Sequence, residues 1–159
     1  MNSAEPQIAI RRARADEAQE LSTLAMRSKA HWPYPKDYLE KCVDALRIDP
    51  SYIEQWPVFV AEEAKQVVGF FALKIIGKEP RLDHLWILPE FIGKSIGSRL
   101  LAMSVEEARK LGWTEFWLAA DPYAIKFYEK FGAVQFGTVQ SRIKPDLFLP
   151  HMKLDLKPA

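Results

Sequence analysis

Apolar and polar positions along this chain switch between a period of two and a period of three to four, and the switches mark the elements. Residues 8–13 alternate at their end and predict a first strand. Asp16 with Gln19 three residues later has the spacing of a capping box, and Ala18, Leu21, Leu24, Ala25 and Ser28 trace a helical side reaching Trp32. Pro33 and Pro35 break that pattern. Pro35 suits the first turn of a second helix, whose buried side is Leu39, Cys42, Val43 and Leu46. Residues 58–61 and 67–73 are apolar runs around the polar stretch 62–66 and read as a hairpin. The bulky run 82–88 is the central strand, stopped by Pro89, which cannot donate to a ladder.

A third helix-period pattern follows the loop holding Gly93 and Gly97. Ile96, Leu100, Leu101, Met103, Val105 and Ala108 share one side, and Arg99, Glu106, Glu107, Arg109 and Lys110 the other. Gly112 is a left-handed stop. Residues 114–120 read as a strand, 123–131 as a short helix ended by Gly132, and 134–139 and 152–156 as late strands. Strands before, between and after helices, with neighbouring hairpins, predict a mixed α/β sheet.

Composition narrows the class. A chain of 159 residues favours a single domain, 1–159. The formal net charge of +1 gives no reason to expect nucleic acid or an anionic membrane as partner. No apolar stretch approaches the ~20 residues needed to span a bilayer, and residues 1–7 lack the layout of a secretory signal. The single cysteine, Cys42, allows no internal disulfide and lies on an apolar stripe, as a small core residue does. A cytoplasmic protein is the expectation. No set of His, Cys and carboxylates has metal-ligand spacing, so no metal is expected.

The chemistry concentrates where the central strand meets the long helix. The first turn of a helix has amide N–H groups without partners and partial positive charge. Small residues let a phosphate approach that backbone, and Lys94 adds a full charge, so 93–98 is a candidate anion cradle as well as an ordinary strand-to-helix connection. Gly93-Lys94-Ser95 resembles the end of a nucleoside-triphosphate loop, but that motif needs glycine at the position of Leu88. A dinucleotide fingerprint is broken by Ser95.

What residues 82–101 resemble is the coenzyme A pyrophosphate loop of the GNAT superfamily of N-acetyltransferases: a strand ending in apolar-x-Pro, then [RQ]-x-x-G-x-[GA] opening a long helix. The six positions here are Ile92-Gly93-Lys94-Ser95-Ile96-Gly97. Ile92 stands for the basic or amide residue, Ser95 for the first glycine, and Gly97 matches. Downstream, Asp121, Ala124, Tyr128, Gly132 and Ala133 fall on the family's N-x-x-A-x-x-x-Y-x-x-x-G-F segment, with Asp121 replacing Asn and Ala133 replacing Phe. The resemblance extends from about residue 8 to 156. It implies a mostly antiparallel mixed central sheet flanked by helices, with a parallel, splayed strand pair at the cofactor site.

The resemblance also implies direct acetyl transfer from acetyl-CoA, without metal, to a primary amine on a small molecule or peptide. Cofactor contacts are then expected from Trp86, Ile87, Leu88, Gly93, Lys94, Ser95, Ile96, Gly97, Ser98, Asp121, Tyr123 and Tyr128. Tyr128 matches the tyrosine that protonates the departing thiolate, and a main-chain N–H of the central strand would face the oxyanion. Asp83 and His84, the polar members of the central strand, are the candidate general bases. Adjacent strand residues point to opposite faces, so a regular strand would turn only one of them into the cleft, unless a bulge intervenes. Glu62 and Glu63 acting through water, and His31, are weaker candidates. His31, Trp32 and Tyr34, stiffened by two prolines, form a candidate acceptor wall. Dimers are common among similar proteins, making a homodimer an expectation. A non-catalytic acyl-CoA-binding sensor or interaction domain is the alternative.

Overall fold

Burial is most continuous along the strand that follows the first hairpin turn, where every residue from Val67 to Leu73 is buried. A strand covered on both faces needs an element on each, and the chain supplies them. In a computed structural model describing residues 7–157, the strands are β1 (Ile8–Arg12), β2 (Val58–Glu63), β3 (Gln66–Ile76), β4 (Glu79–Ile87), β5 (Glu115–Ala119), β6 (Val134–Gln140) and β7 (Phe148–Asp155). The helices are α1 (Ala18–Ala30), α2 (Lys36–Ala45), α3 (Pro50–Gln55), α4 (Ile96–Lys110) and α5 (Ile125–Lys130). The strands form one sheet in the order β1-β2-β3-β4-β5-β7-β6. Every pairing is antiparallel except β4 with β5. Helices α4 and α1 pack on β3 and β4, and α2 lies against α1. Phe70, Phe71, Leu73, Leu100, Leu101 and Phe116 fill the centre of the core.

Several boundaries differ from the sequence expectation. The capping carboxylate is Glu17 and not Asp16: its Oε1 accepts the Arg14 N–H at 2.8 Å, while both its oxygens accept from Arg11. The β2–β3 turn is only Ala64-Lys65, both at positive φ, so the strands run on through Glu63 and Gln66. Gly77 at φ +66 turns the chain again, and β4 therefore begins at Glu79, earlier than the apolar run at Leu82. In α2 it is Tyr38, not Val43, that joins Cys42 in the core; Val43 is exposed. Helix α3 is absent from the periodicity reading. Its signal is Asp49-Pro50, a proline at the first helical position.

Two details fix how α4 meets the sheet. A Cβ on Gly97 would lie 2.8 Å from Ile87 Cδ1 and 3.4 Å from the Phe127 ring, so the missing side chain lets the helix seat against both. Ser95, the residue before the helix, is left-handed at φ 64, ψ 11. An L-residue there costs roughly 1–2 kcal/mol that glycine avoids. Ser95→Gly should therefore raise unfolding stability by about 1 kcal/mol, read as a higher urea midpoint at constant m-value. An unchanged or lower midpoint would show that the serine side chain compensates.

Candidate active site

The parallel pair β4–β5 is joined at one register point, Arg81 with Trp117. Beyond it the strands diverge, and the gap opens into a cleft of about 340 Å³. Leu85, Trp86 and Ile87 line it from β4, Leu118 and Ala119 from β5, and Phe127 and Tyr128 from α5. A smaller cavity of about 110 Å³ adjoins it, sharing Asp83, His84, Trp86, Ala119 and Asp121, and reaches Lys29, Ser141 and Arg142. One half is mainly apolar, and the other is ringed with charges.

Main-chain donors lie along the β4 bank of the larger half and at the start of α4, where Ile92 lines the cleft and residues 93–98 lie outside its lining. The Leu88 N–H is bonded to the Val68 carbonyl. Antiparallel alternation then turns the Trp86 amide toward β3 and those of Leu85 and Ile87 toward the gap. At the α4 end, Ile92 donates to Pro89 and Arg99 to Ser95, whereas the N–H groups of residues 93–98 have no acceptor among the described residues. Gly93 at φ 84 and Ser95 at φ 64 bend this stretch into successive exposed amides ahead of the helix. Such a nest, at the positive end of a fifteen-residue helix, suits a phosphate. Lys94 lies exposed nearby, its Nζ 5.3 Å from the Phe91 ring centre. Ser98 is half-buried, while Ile96 and Gly97 are buried and offer only backbone. Leu88 is likewise in the core and does not line the cleft.

The central strand is not regular at its polar pair. Opposite β3, Ala72 pairs with His84 and Leu73 with Leu82, so Asp83 is the extra residue of a bulge. The irregularity allows Asp83 and His84 both to border the same cleft. The Asp83 side chain is 2% exposed and accepts Tyr52 Oη–H at 2.6 Å and an Arg142 N–H at 3.1 Å. Burial pushes its pKa up, but the positive charge of Arg142, any charge on His84, and the Tyr52 hydroxyl outweigh that and hold it below the usual carboxylate range. His84 is fully buried, and burial lowers its pKa to about 4, against the pull of Asp83. Its Nδ1 accepts the Trp86 indole N–H at 3.0 Å, so the neutral ring carries its proton on Nε2, 3.6 Å from Asp83 Oδ2.

Tyr128 is buried, and its phenol lines the cleft. Burial, reinforced by the negative charge of Asp121, raises its pKa far above that of a free phenol, so the hydroxyl keeps its proton. Asp121 accepts Lys29 Nζ at 2.7 Å, Tyr34 Oη at 2.8 Å and the Tyr123 N–H at 2.9 Å. It joins the end of α1 to the turn after β5. Lys29 is enclosed, 4.5 Å from the Tyr34 ring centre.

Of the three acceptor-wall residues, only Trp32 lines the cleft, stacked on Tyr123 at 4.7 Å with 3° between planes. Tyr34 stands behind, holding Asp121, and His31 packs edge-on against Trp32 outside. Glu62 bonds Arg11, away from both cavities, and Glu63 borders neither. Among the site residues that the sequence reading does not find are Lys29, Tyr52, Arg81 and Arg142, with Leu85 and Phe127 of the cleft lining. Tyr52 sits on the unrecognised α3, and Arg142 and Lys29 reach the site from positions whose sequence neighbours carry no motif. Among the described residues there is no His, Cys, Asp and Glu group able to hold a metal, and no helix is long and apolar enough to cross a membrane.

The acetyltransferase (GNAT) family model matches residues 23–133. No curated protein matches the chain. Among solved structures, PaiA N-acetyltransferase from Thermoplasma acidophilum, in complex with coenzyme A, superposes with a TM-score of 0.78 at 23% identity, covering 94% of this chain and 99% of that one. A GCN5-related N-acetyltransferase from Rhodopseudomonas palustris gives 0.80 at 21% identity, covering 98% of each. Apo YjaB from Escherichia coli gives 0.68 at 27% identity, covering 96% of this chain and 99% of that one.

Proposed function

The chain belongs to the GNAT acetyltransferase family, and from that premise we propose that it transfers acetyl from acetyl-CoA directly to a primary amine. The observation that carries this reading is the run of unbonded N–H groups at 93–98, which follows the cleft-lining Ile92 and packs through Gly97 against Ile87 and Phe127 of the cleft wall. They suit a diphosphate, and the bound coenzyme A of the Thermoplasma relative supports the choice of cofactor. Lys94 and the α4 dipole supply positive charge where Ile92 lacks it. Acetyl-CoA, when bound, supplies the activated acyl group; the remaining work falls to the chain.

Leu85 and Ile87 donate main-chain N–H groups to the carbonyl oxygen as it becomes negative. The Tyr128 hydroxyl, kept protonated by its surroundings, gives its proton to the departing sulfur. Asp83 receives the incoming ammonium at the junction of the two cavities. His84, with Nδ1 occupied by Trp86, orients the bulge and offers no free base at neutral pH. The ammonium held at Asp83 therefore loses one proton to solvent before it attacks, and the second proton, released as the amide forms, returns through solvent to the Tyr128 oxygen. The described residues form one acetyltransferase domain, for which a compartment holding acetyl-CoA, such as the cytoplasm, is the setting.

Purified protein, acetyl-CoA and a panel of amines should release free thiol. Tight coenzyme A binding without thiol release on any amine would favour a non-catalytic acyl-CoA sensor. Tyr128→Phe should lower kcat about 100-fold while the Kd for coenzyme A, by calorimetry, stays within a factor of two; an unchanged kcat would remove the phenol from the reaction. Ser98→Glu places a carboxylate beside the exposed amides and should weaken coenzyme A binding at least ~10-fold, and equal affinity would move the diphosphate elsewhere. Since neither Asp83 nor His84 titrates near neutrality, kcat/KM should rise about tenfold per pH unit from 6 to 8 and level off only toward the amine's own pKa near ~10. A plateau from pH 7 upward would reveal a base of near-neutral pKa.

A further inference from the structure

Resting on the acetyl-transfer reading above, we infer that the acceptor is a small amine that also bears a carboxylate, and that Arg142 selects it. Three cations border the charged cavity: Lys29, Arg81 and Arg142. Each already has an anion. Lys29 is paired with Asp121 at 2.7 Å, Arg81 with Glu79 at 2.5 Å, and Arg142 with Asp83 at 3.1 Å. The first two cations are buried or nearly so, with side chains 5% and 14% exposed, and are fixed. Arg142 differs. It sits between β6 and β7, its side chain is 56% exposed, and a single bond to Asp83 Oδ1 uses one of its five N–H donors.

The Arg142–Asp83 pair sits where the two cavities meet, since Asp83 borders both and Arg142 the smaller. An acceptor whose amine reaches Asp83 parts them. A simple acid would take Arg142 and strand Asp83, whose buried carboxylate would keep only the Tyr52 hydroxyl; that is strongly unfavourable. A simple ammonium would take Asp83 but leave Arg142 without an anion and with a second cation beside it. An amino carboxylate leaves neither. Its ammonium replaces the guanidinium on Asp83, facing the apolar cleft, and its carboxylate takes the freed fork of Arg142 in two parallel bonds. The pocket is electrically balanced before and after, and the amine ends on the side where Leu85, Ile87 and Tyr128 converge.

The test compares amino acids with the amines left by their decarboxylation: alanine with ethylamine, leucine with isopentylamine, phenylalanine with phenethylamine. For the parent enzyme, kcat/KM from thiol release should favour the amino acid at least tenfold in one or more pairs, chiefly through KM. In Arg142→Ala that ratio should fall at least tenfold, and Arg142→Lys should restore part of it. Equal efficiency on both members of every pair, or a preference that survives Arg142→Ala, would overturn the inference while leaving acetyl transfer to amines intact. If the parent acetylates no amine of any kind, the acetyl-transfer reading fails. Calorimetric binding of leucine and isopentylamine to the coenzyme A-loaded protein then decides this inference separately: leucine binding lost in Arg142→Ala upholds it, and binding that ignores position 142 or favours the amine refutes it.

Discussion

The site depends on two neighbouring strands that stop holding each other. β4 and β5 run parallel and share a single register point at Arg81 and Trp117. In a continuous sheet, amides such as those of Leu85 and Ile87 would be spent on a neighbouring strand. Here the divergence leaves them facing a space where a ligand can use them. The bulge at Asp83 lies just past that register point, and the increased twist of a bulged strand helps turn β4 away from β5. Seating of α4 follows from the same departure: Gly97 brings the helix, with its open amides, against Ile87 of the cleft wall.

Charge in the site is arranged in pairs, and this restricts what each group can do. Asp83 is held ionised by Arg142 and Tyr52, His84 is held neutral by burial, and Tyr128 is held protonated by burial and by Asp121. Each group is fixed in one protonation state over the ordinary pH range. A site of this kind works by orientation and by preset dipoles more than by moving protons among its own residues. The exposed Arg142 is the adjustable member, since a single bond to Asp83 is all that holds its guanidinium.

Much of this architecture was legible in the sequence. The long helix, the central strand ended by Pro89 and the loop between them are local patterns of period and punctuation, and the structure has all three. Tyr128 stands out in the sequence by its fixed spacing within a recognisable segment, and the structure puts it on the cleft lining. Ser95 was readable as a departure, and its left-handed backbone is the conformation a glycine would take there. What escaped depends on long-range packing. Tyr52 reaches Asp83 across 31 residues and Lys29 reaches Asp121 across 92. Neither contact leaves a trace in hydrophobic period. Tyr34 belongs to the aromatic run that suggests a wall and stands one layer behind it, because its hydroxyl finds Asp121 only when α1 closes on the turn after β5. Asp83 and His84 looked mutually exclusive on an ideal strand, and one extra residue in the pairing makes them compatible.

The Lys29–Asp121–Tyr34 knot has a consequence for affinity. It ties the end of α1 to the tip of β5 from opposite banks of the gap, with Lys29 enclosed by Tyr34 and the Trp32–Tyr123 stack alongside. The width of the slot is therefore set when the chain folds. A thioester entering it meets walls that have already surrendered their freedom, and less conformational entropy is lost on association than a floppy cleft would demand. Loosening that knot would show first as weaker grip on both ligands together, before any change in the bond-making step.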